Sequence, residues 1–116
     1  TAWQTVRLNG RCKPDVPWAS LYQPYPGTAL GALAEKEGLC LVDPETVRPS
    51  FFEDLPLELP DRERLVNMQK FFSAMVRHST VRPLGAILTR FAPNRRFQAF
   101  SDWYRRRGYQ RRLYKL

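Results

Sequence analysis

Proline placement restricts this chain more than any other feature. Ten prolines stand among 116 residues, and eight of them fall between Pro14 and Pro60. Proline inside a helix removes a backbone hydrogen bond and collides with the preceding turn. The stretch from Pro14 to Pro60 is therefore built from short elements and irregular chain. Beyond it only Pro83 and Pro93 remain. Proline is tolerated in the first turn of a helix and between helices, so the second half is free to be helical.

Thr1 to Asp15 carries two opposed signals. Asn9-Gly10 marks a hairpin turn, with Trp3, Thr5 and Arg7 alternating along a strand. The same residues also read as the last turns of a helix, with Trp3, Val6 and Arg7 on one face and Gly10 just past its end. Local propensity does not choose between them. Trp18-Ala19-Ser20-Leu21-Tyr22 is rich in strand formers, and Pro17 suits the first position or an edge of a strand. Two prolines and a glycine within Gln23–Thr28 end that strand. Thr28 is an N-cap for a helix over Ala29–Lys36, and Gly38 closes it. The block predicts strand, tight loop, helix. Leu39 to Pro60 predicts a long irregular connection that Phe51, Phe52, Leu55, Leu57 and Leu59 pack down.

The second half predicts three helices. Asp61 caps one that runs to about His78, with Leu65, Met68, Phe72 and Met75 on one apolar face widened by Val66, Phe71 and Val76. A second spans about Val81 to Phe91, with Pro83 in its first turn, and Ala92-Pro93-Asn94 breaks it. Asn94 caps a third through Phe97, Phe100, Trp103 and Tyr104 that ends at Gly108, with Tyr109–Leu116 as a frayed continuation. Trp18, Phe72 and Trp103, with Met68 and Met75, are expected in the core.

Composition excludes several classes. At 43% apolar and 13% aromatic residues, the chain has enough to bury to fold. No apolar run approaches the ~18 residues of a membrane helix, and no signal peptide is visible. The chain opens at Thr1 inside an element and reads as a fragment. Cys12 and Cys40 make neither a disulfide framework nor a zinc site, which favours a reducing cytoplasm. His78, the single histidine, reads as a surface residue near a helix C-terminus. No paired carboxylates, nucleophile triad or P-loop is present.

Charge is concentrated at one end. From Arg95 onward eight basic residues face Asp102 alone, a net of +7 within a chain of +8. Arg105, Arg106, Arg107, Arg111 and Arg112, interleaved with Tyr104, Tyr109 and Tyr114, are candidate phosphate contacts. A solvated face, or one paired with acidic residues elsewhere, is the favoured reading of such a run.

The stretch Leu21-Tyr22-Gln23-Pro24-Tyr25-Pro26-Gly27-Thr28-Ala29-Leu30, followed by Ala34-Glu35-Lys36-Glu37-Gly38-Leu39, resembles the late barrel segment of radical S-adenosylmethionine enzymes, above all those with an N-terminal cobalamin-binding domain. Thr5, Leu8, Asn9 and Lys13-Pro14-Asp15 resemble the helix and lead-in of the same region. About the first forty residues carry the resemblance. It implies a helix within Thr1 to Asp15, and a fold of α+β class: mostly helical, with one strand-loop-helix unit from the end of a partial (β/α)6 barrel. The implied division is 1–40 for the end of the barrel, 41–60 for a wrapping connection and 61–116 for a basic helical region.

The resemblance further implies that Gln23, Pro24, Tyr25, Pro26, Gly27 and Thr28 face cofactor or substrate. Without the resemblance, the loop reads equally as a rigid turn with a cap. The cofactors of the whole enzyme would be a [4Fe–4S] cluster and S-adenosylmethionine, with cobalamin as in the look-alikes. The cluster motif Cys-x-x-x-Cys-x-x-Cys is absent, so the fragment alone would be inert and hold no cofactor. Its expected partners are the remaining domains and a small-molecule or peptide substrate, with no membrane. The alternative function is a small basic helical module for RNA or an acidic protein, the less favoured partner being nucleic acid.

Overall fold

A computed structural model describes residues 1–41, 52 and 55–113. The described residues form five α-helices: α1 (Ala2–Cys12), α2 (Ala29–Lys36), α3 (Arg62–Arg77), α4 (Arg82–Leu88) and α5 (Arg95–Leu113), with a 3-10 turn at Ser79–Val81 before α4. The chain divides into two compact units. One comprises Thr1–Ala19 and Glu63–Leu116, the other Ser20–Arg62.

The first unit is built around α3. Val6 of α1 meets Met68, Phe71, Phe72, Met75 and Val76 in one buried cluster, with Ala2, Trp3, Ala19, Leu88, Phe97 and Phe100 against it. Phe71 lies edge-on to Phe97 at 5.0 Å between centroids and also packs on Phe100 at 5.5 Å. α3 buries more than one face: Asn67, Lys70 and Ala74 are buried as well. Gly85 of α4 has no room for a side chain, since a Cβ there would collide with Sδ of Met75.

Thr1 to Asp15 is helical from Ala2 to Cys12 and shows no hairpin. Thr1 and Gln4 form a reciprocal capping box, and the helix runs through Asn9-Gly10 to a left-handed cap at Lys13, φ 50°. The hairpin signal is overruled, and Gly10 lies inside the helix instead of past its end. α5 likewise continues through Gly108 to Leu113, where an end was expected. One glycine in an exposed helix costs only about 1 kcal/mol.

The expected α+β class is also corrected: the protein is helical. Among the described residues there is no sheet, and the one pairing of extended segments is an isolated antiparallel bridge between Cys40 and Leu57. Trp18–Tyr22 takes part in no strand ladder, so no strand-loop-helix barrel unit forms among the described residues. A strand is a paired state, and high β propensity cannot create a partner.

The carbonyls at the start of this segment are satisfied by helix side chains instead. Gln69 Nε2 donates to the Ala19 carbonyl at 3.1 Å, Ser73 Oγ to Pro17 at 2.7 Å, and Arg77 Nη2 to Asp15 at 2.8 Å. The donors are four residues apart on α3, about 6 Å of helix rise. The acceptors are two apart on the strap, an interval that a chain at strand rise covers in about 6.6 Å. The two spacings match closely enough for a ladder between a strap, residues 15–19, and an antiparallel helix.

The second unit holds together differently. Among its described residues the buried apolar side chains include Leu21, Pro24, Ala34, Leu55 and Leu57. Leu41 N–H donates to Pro56 at 2.9 Å and Glu58 N–H to Leu39 at 2.7 Å around the bridge, while Arg62 Nε donates to Leu55 at 2.9 Å. Most of the expected connection between residues 41 and 60, including Phe51, lies outside the described residues.

Candidate functional site

The loop Gln23–Thr28 is two consecutive turns. Tyr25 N–H donates back to the Gln23 carbonyl at 3.0 Å, a three-residue turn centred on Pro24. Thr28 N–H then donates to the Tyr25 carbonyl at 3.4 Å. Pro26 and Gly27 are the central pair, and φ of Gly27 is +78°. That is a type II turn, which takes proline first and glycine second for their backbone angles.

Thr28 fastens this turn to α2. Its hydroxyl accepts from Gly31 N–H at 3.0 Å and donates to the Tyr25 carbonyl at 2.8 Å. Gly31 has a part that sequence reading missed: a Cβ there would collide with the Tyr25 carbonyl oxygen. The loop therefore presses its backbone onto the first turn of α2, and only glycine admits it. Nothing in propensity marks this residue; it reads as one more member of a short helix.

At the far end of α2, Leu39 N–H donates to Ala34 and Gly38 N–H to Glu35, with φ of Gly38 at +65°. This is the Schellman closure expected of Gly38. Within the loop, Gln23 and Pro24 are buried, whereas Tyr25, Pro26, Gly27 and Thr28 are exposed. α2 buries its small residues, Gly31 and Ala34, and leaves Leu30 and Leu33 56% and 51% exposed. Tyr22 and Tyr25 are 36% and 40% exposed. Loop and helix thus offer solvent an apolar surface.

The basic candidates lie along α5, capped by Asn94 Oδ1 accepting from Phe97 N–H at 3.0 Å. Arg105 is half-buried and pairs with Asp102 at 2.8 Å. Arg106 and Arg107 line a shallow groove with Trp103, where the Arg107 guanidinium sits 5.5 Å from the ring centroid. Arg111 is exposed, and the side chain of Arg112 and all of Tyr114 lie outside the described residues. Tyr104 packs on Phe100 and Tyr109 lies edge-on to Trp18, so both rings are engaged in packing.

Trp18 and Trp103 are 57% and 53% exposed, against the expectation that both are core. Each follows from its neighbours: the strap next to Trp18 faces α3 through backbone carbonyls, and α5 turns Phe97 and Phe100 inward in place of Trp103. Phe72, Met68 and Met75 are buried as expected, and His78 is exposed at the end of α3.

Cys12 is exposed and Cys40 half-buried. Two thiols in the whole chain cannot supply the three thiolates of the family's cluster, so these residues do not fit it. Among the described residues no group of three His, Cys, Asp or Glu is gathered as a metal site, and no helix is long and apolar enough to cross a membrane. Comparisons with protein-family models, curated proteins and solved structures found no match.

Proposed function

We propose that this chain is the C-terminal part of a radical S-adenosylmethionine oxidoreductase or methyltransferase of the cobalamin-binding group, in which the loop Gln23–Thr28 faces cofactor or substrate. The observation that carries this reading is the double turn locked onto α2: nine residues, Gln23–Gly31, in which Pro26, Gly27, Thr28 and Gly31 each have a separate geometric duty. The helical form of Thr1–Cys12 agrees with what the resemblance implies for that block. The exposed Tyr22, Tyr25, Leu30 and Leu33 supply an apolar surface of the kind that the remaining domains would cover. The cluster would be held by residues outside this chain, and the chain alone is inert in this reading.

The reading is tested on the gene. The coding sequence before Thr1 should contain Cys-x-x-x-Cys-x-x-Cys, and the whole protein, reconstituted anaerobically, should cleave S-adenosylmethionine to 5′-deoxyadenosine. Gly27→Val should lower turnover of that protein more than its thermal midpoint would explain, since a β-branched residue resists φ near +78°. A frame without the cysteine motif would sink the proposal.

The alternative, a basic module for RNA or an acidic protein, draws on the exposed Arg106, Arg107 and Arg111. Fluorescence anisotropy with short RNA separates the two. Submicromolar binding that survives moderate salt would favour the module.

A further inference from the structure

A hollow of about 490 Å³ opens in the first unit, where the C-terminal ends of α1 and α3 meet the turn leading into α4. Lys13, Arg77, His78, Ser79 and Arg82 supply its polar lining, and no carboxylate lines it. We infer that this hollow is a binding site for the terminal phosphate of a small phosphorylated molecule.

The two arginines are held in place by the backbone. Arg77 donates one N–H to the Asp15 carbonyl at 2.8 Å, and Arg82 Nε donates to the Met75 carbonyl at 2.9 Å. A guanidinium has five N–H donors in a fixed fork, so each keeps others for a ligand. Gly10 leaves room for this arrangement, because a Cβ there would collide with Nη2 of Arg82. Lys13 stands at a left-handed position, φ 50°, where glycine is the ordinary choice. The chain keeps a lysine at the rim of the hollow against its backbone preference.

Charge decides the class of ligand. Helix C-termini attract cations, so part of this cluster serves the ends of α1 and α3. Each end carries only about half a negative charge, and two ends offset roughly one of the three permanent cations. About two positive charges remain. A phosphate monoester carries about −1.5 to −2 at neutral pH and matches that remainder, whereas a carboxylate or a phosphodiester carries one charge. Ser79 and His78 add further polar groups around the same space.

The test is calorimetric titration of the chain with phenyl phosphate at fixed ionic strength. One saturable site is expected, weakened about tenfold or more by Arg77→Gln or Arg82→Gln, the usual scale of a charge-assisted hydrogen bond. At position 82 the glutamine amide nitrogen stands where Nε of arginine stands and can still donate to the Met75 carbonyl, whereas at position 77 it falls two bonds short of Nη2 and the bond to Asp15 is lost. Lys13→Gly should weaken binding several-fold without lowering the thermal midpoint, which keeps the question open to test if a glutamine variant fails to fold. The double variant Arg95→Gln, Arg96→Gln on α5, at two exposed positions away from the hollow, should bind unchanged. A single-stranded oligonucleotide with a 5′-hydroxyl, which offers diesters only, should bind at least tenfold more weakly at this site. Absence of saturable binding would overturn the assignment. So would loss through the α5 variant alone, or equal binding of the oligonucleotide through Arg77 and Arg82.

Discussion

The two units solve the same problem with opposite materials. In the first, large side chains converge on α3, and Met75 and Val6 are wholly buried. In the second, α2 buries Gly31 and Ala34 and turns its leucines outward, so order there comes from turns, caps and backbone hydrogen bonds. A unit of the first kind is sensitive to lost volume. The second kind is sensitive to a methyl group added against backbone, as at Gly31, whereas one added at Gly85 in the first meets the flexible side chain of Met75.

Phe71→Ala should be the most damaging change in the first unit. It removes a buried ring from contact with both Phe97 and Phe100, and aromatic truncation in a core costs about 3–5 kcal/mol. Urea denaturation reads this directly. A loss under 1 kcal/mol would mean that the aromatic cluster is not what holds that unit.

Gly31→Ala is the counterpart in the second unit. The added methyl meets the Tyr25 carbonyl, and overpacking costs about 1–3 kcal/mol. Faster hydrogen exchange at the amides of Thr28 to Leu39 should report it, while Leu33→Ala, at a half-exposed position, should leave those rates alone. Equal effects of the two would erase the contrast between the units.

The ladder between strap and α3 predicts a smaller cost. Ser73→Ala removes one donor and should cost about 1 kcal/mol, measured as a shift in the urea midpoint. Lys13→Gly should act in the other direction and stabilise by up to about 1 kcal/mol, since the left-handed conformation is unfavourable for a side chain and free for glycine. A fall in thermal midpoint would show that the Lys13 side chain contributes more to the fold than its backbone angle costs.

What the sequence made legible follows the range of the interactions. Thr28, Gly38 and Asn94 act on neighbours within a few residues, and the helix limits they set are those observed. The apolar spacing of α3 placed Met68, Phe72 and Met75 in the core for the same reason. The strand at Trp18–Tyr22 failed because its state depends on a partner elsewhere in the chain, and the partner is a helix. The donors Gln69, Ser73 and Arg77 look like ordinary polar positions until the strap is seen opposite them. The same limit hid Gly31, whose duty depends on where the Tyr25 carbonyl lands. The cationic hollow was hidden likewise, since Lys13 and Arg77 are 64 positions apart and only the fold joins them.

The ladder also bears on how this protein can change over time. Every residue type presents the same carbonyl, so the three hydrogen bonds themselves ask nothing of the strap's side chains, and only packing holds the buried Pro17 and the core-facing Ala19 to their types. The opposite partners enjoy no such freedom, because only a donor of suitable reach can serve at positions 69, 73 and 77. Drift among descendants of this chain should therefore be lopsided. Substitutions should accumulate at the exposed strap positions while its three anchors on α3 stay within Gln, Ser, Thr, Asn, Lys and Arg.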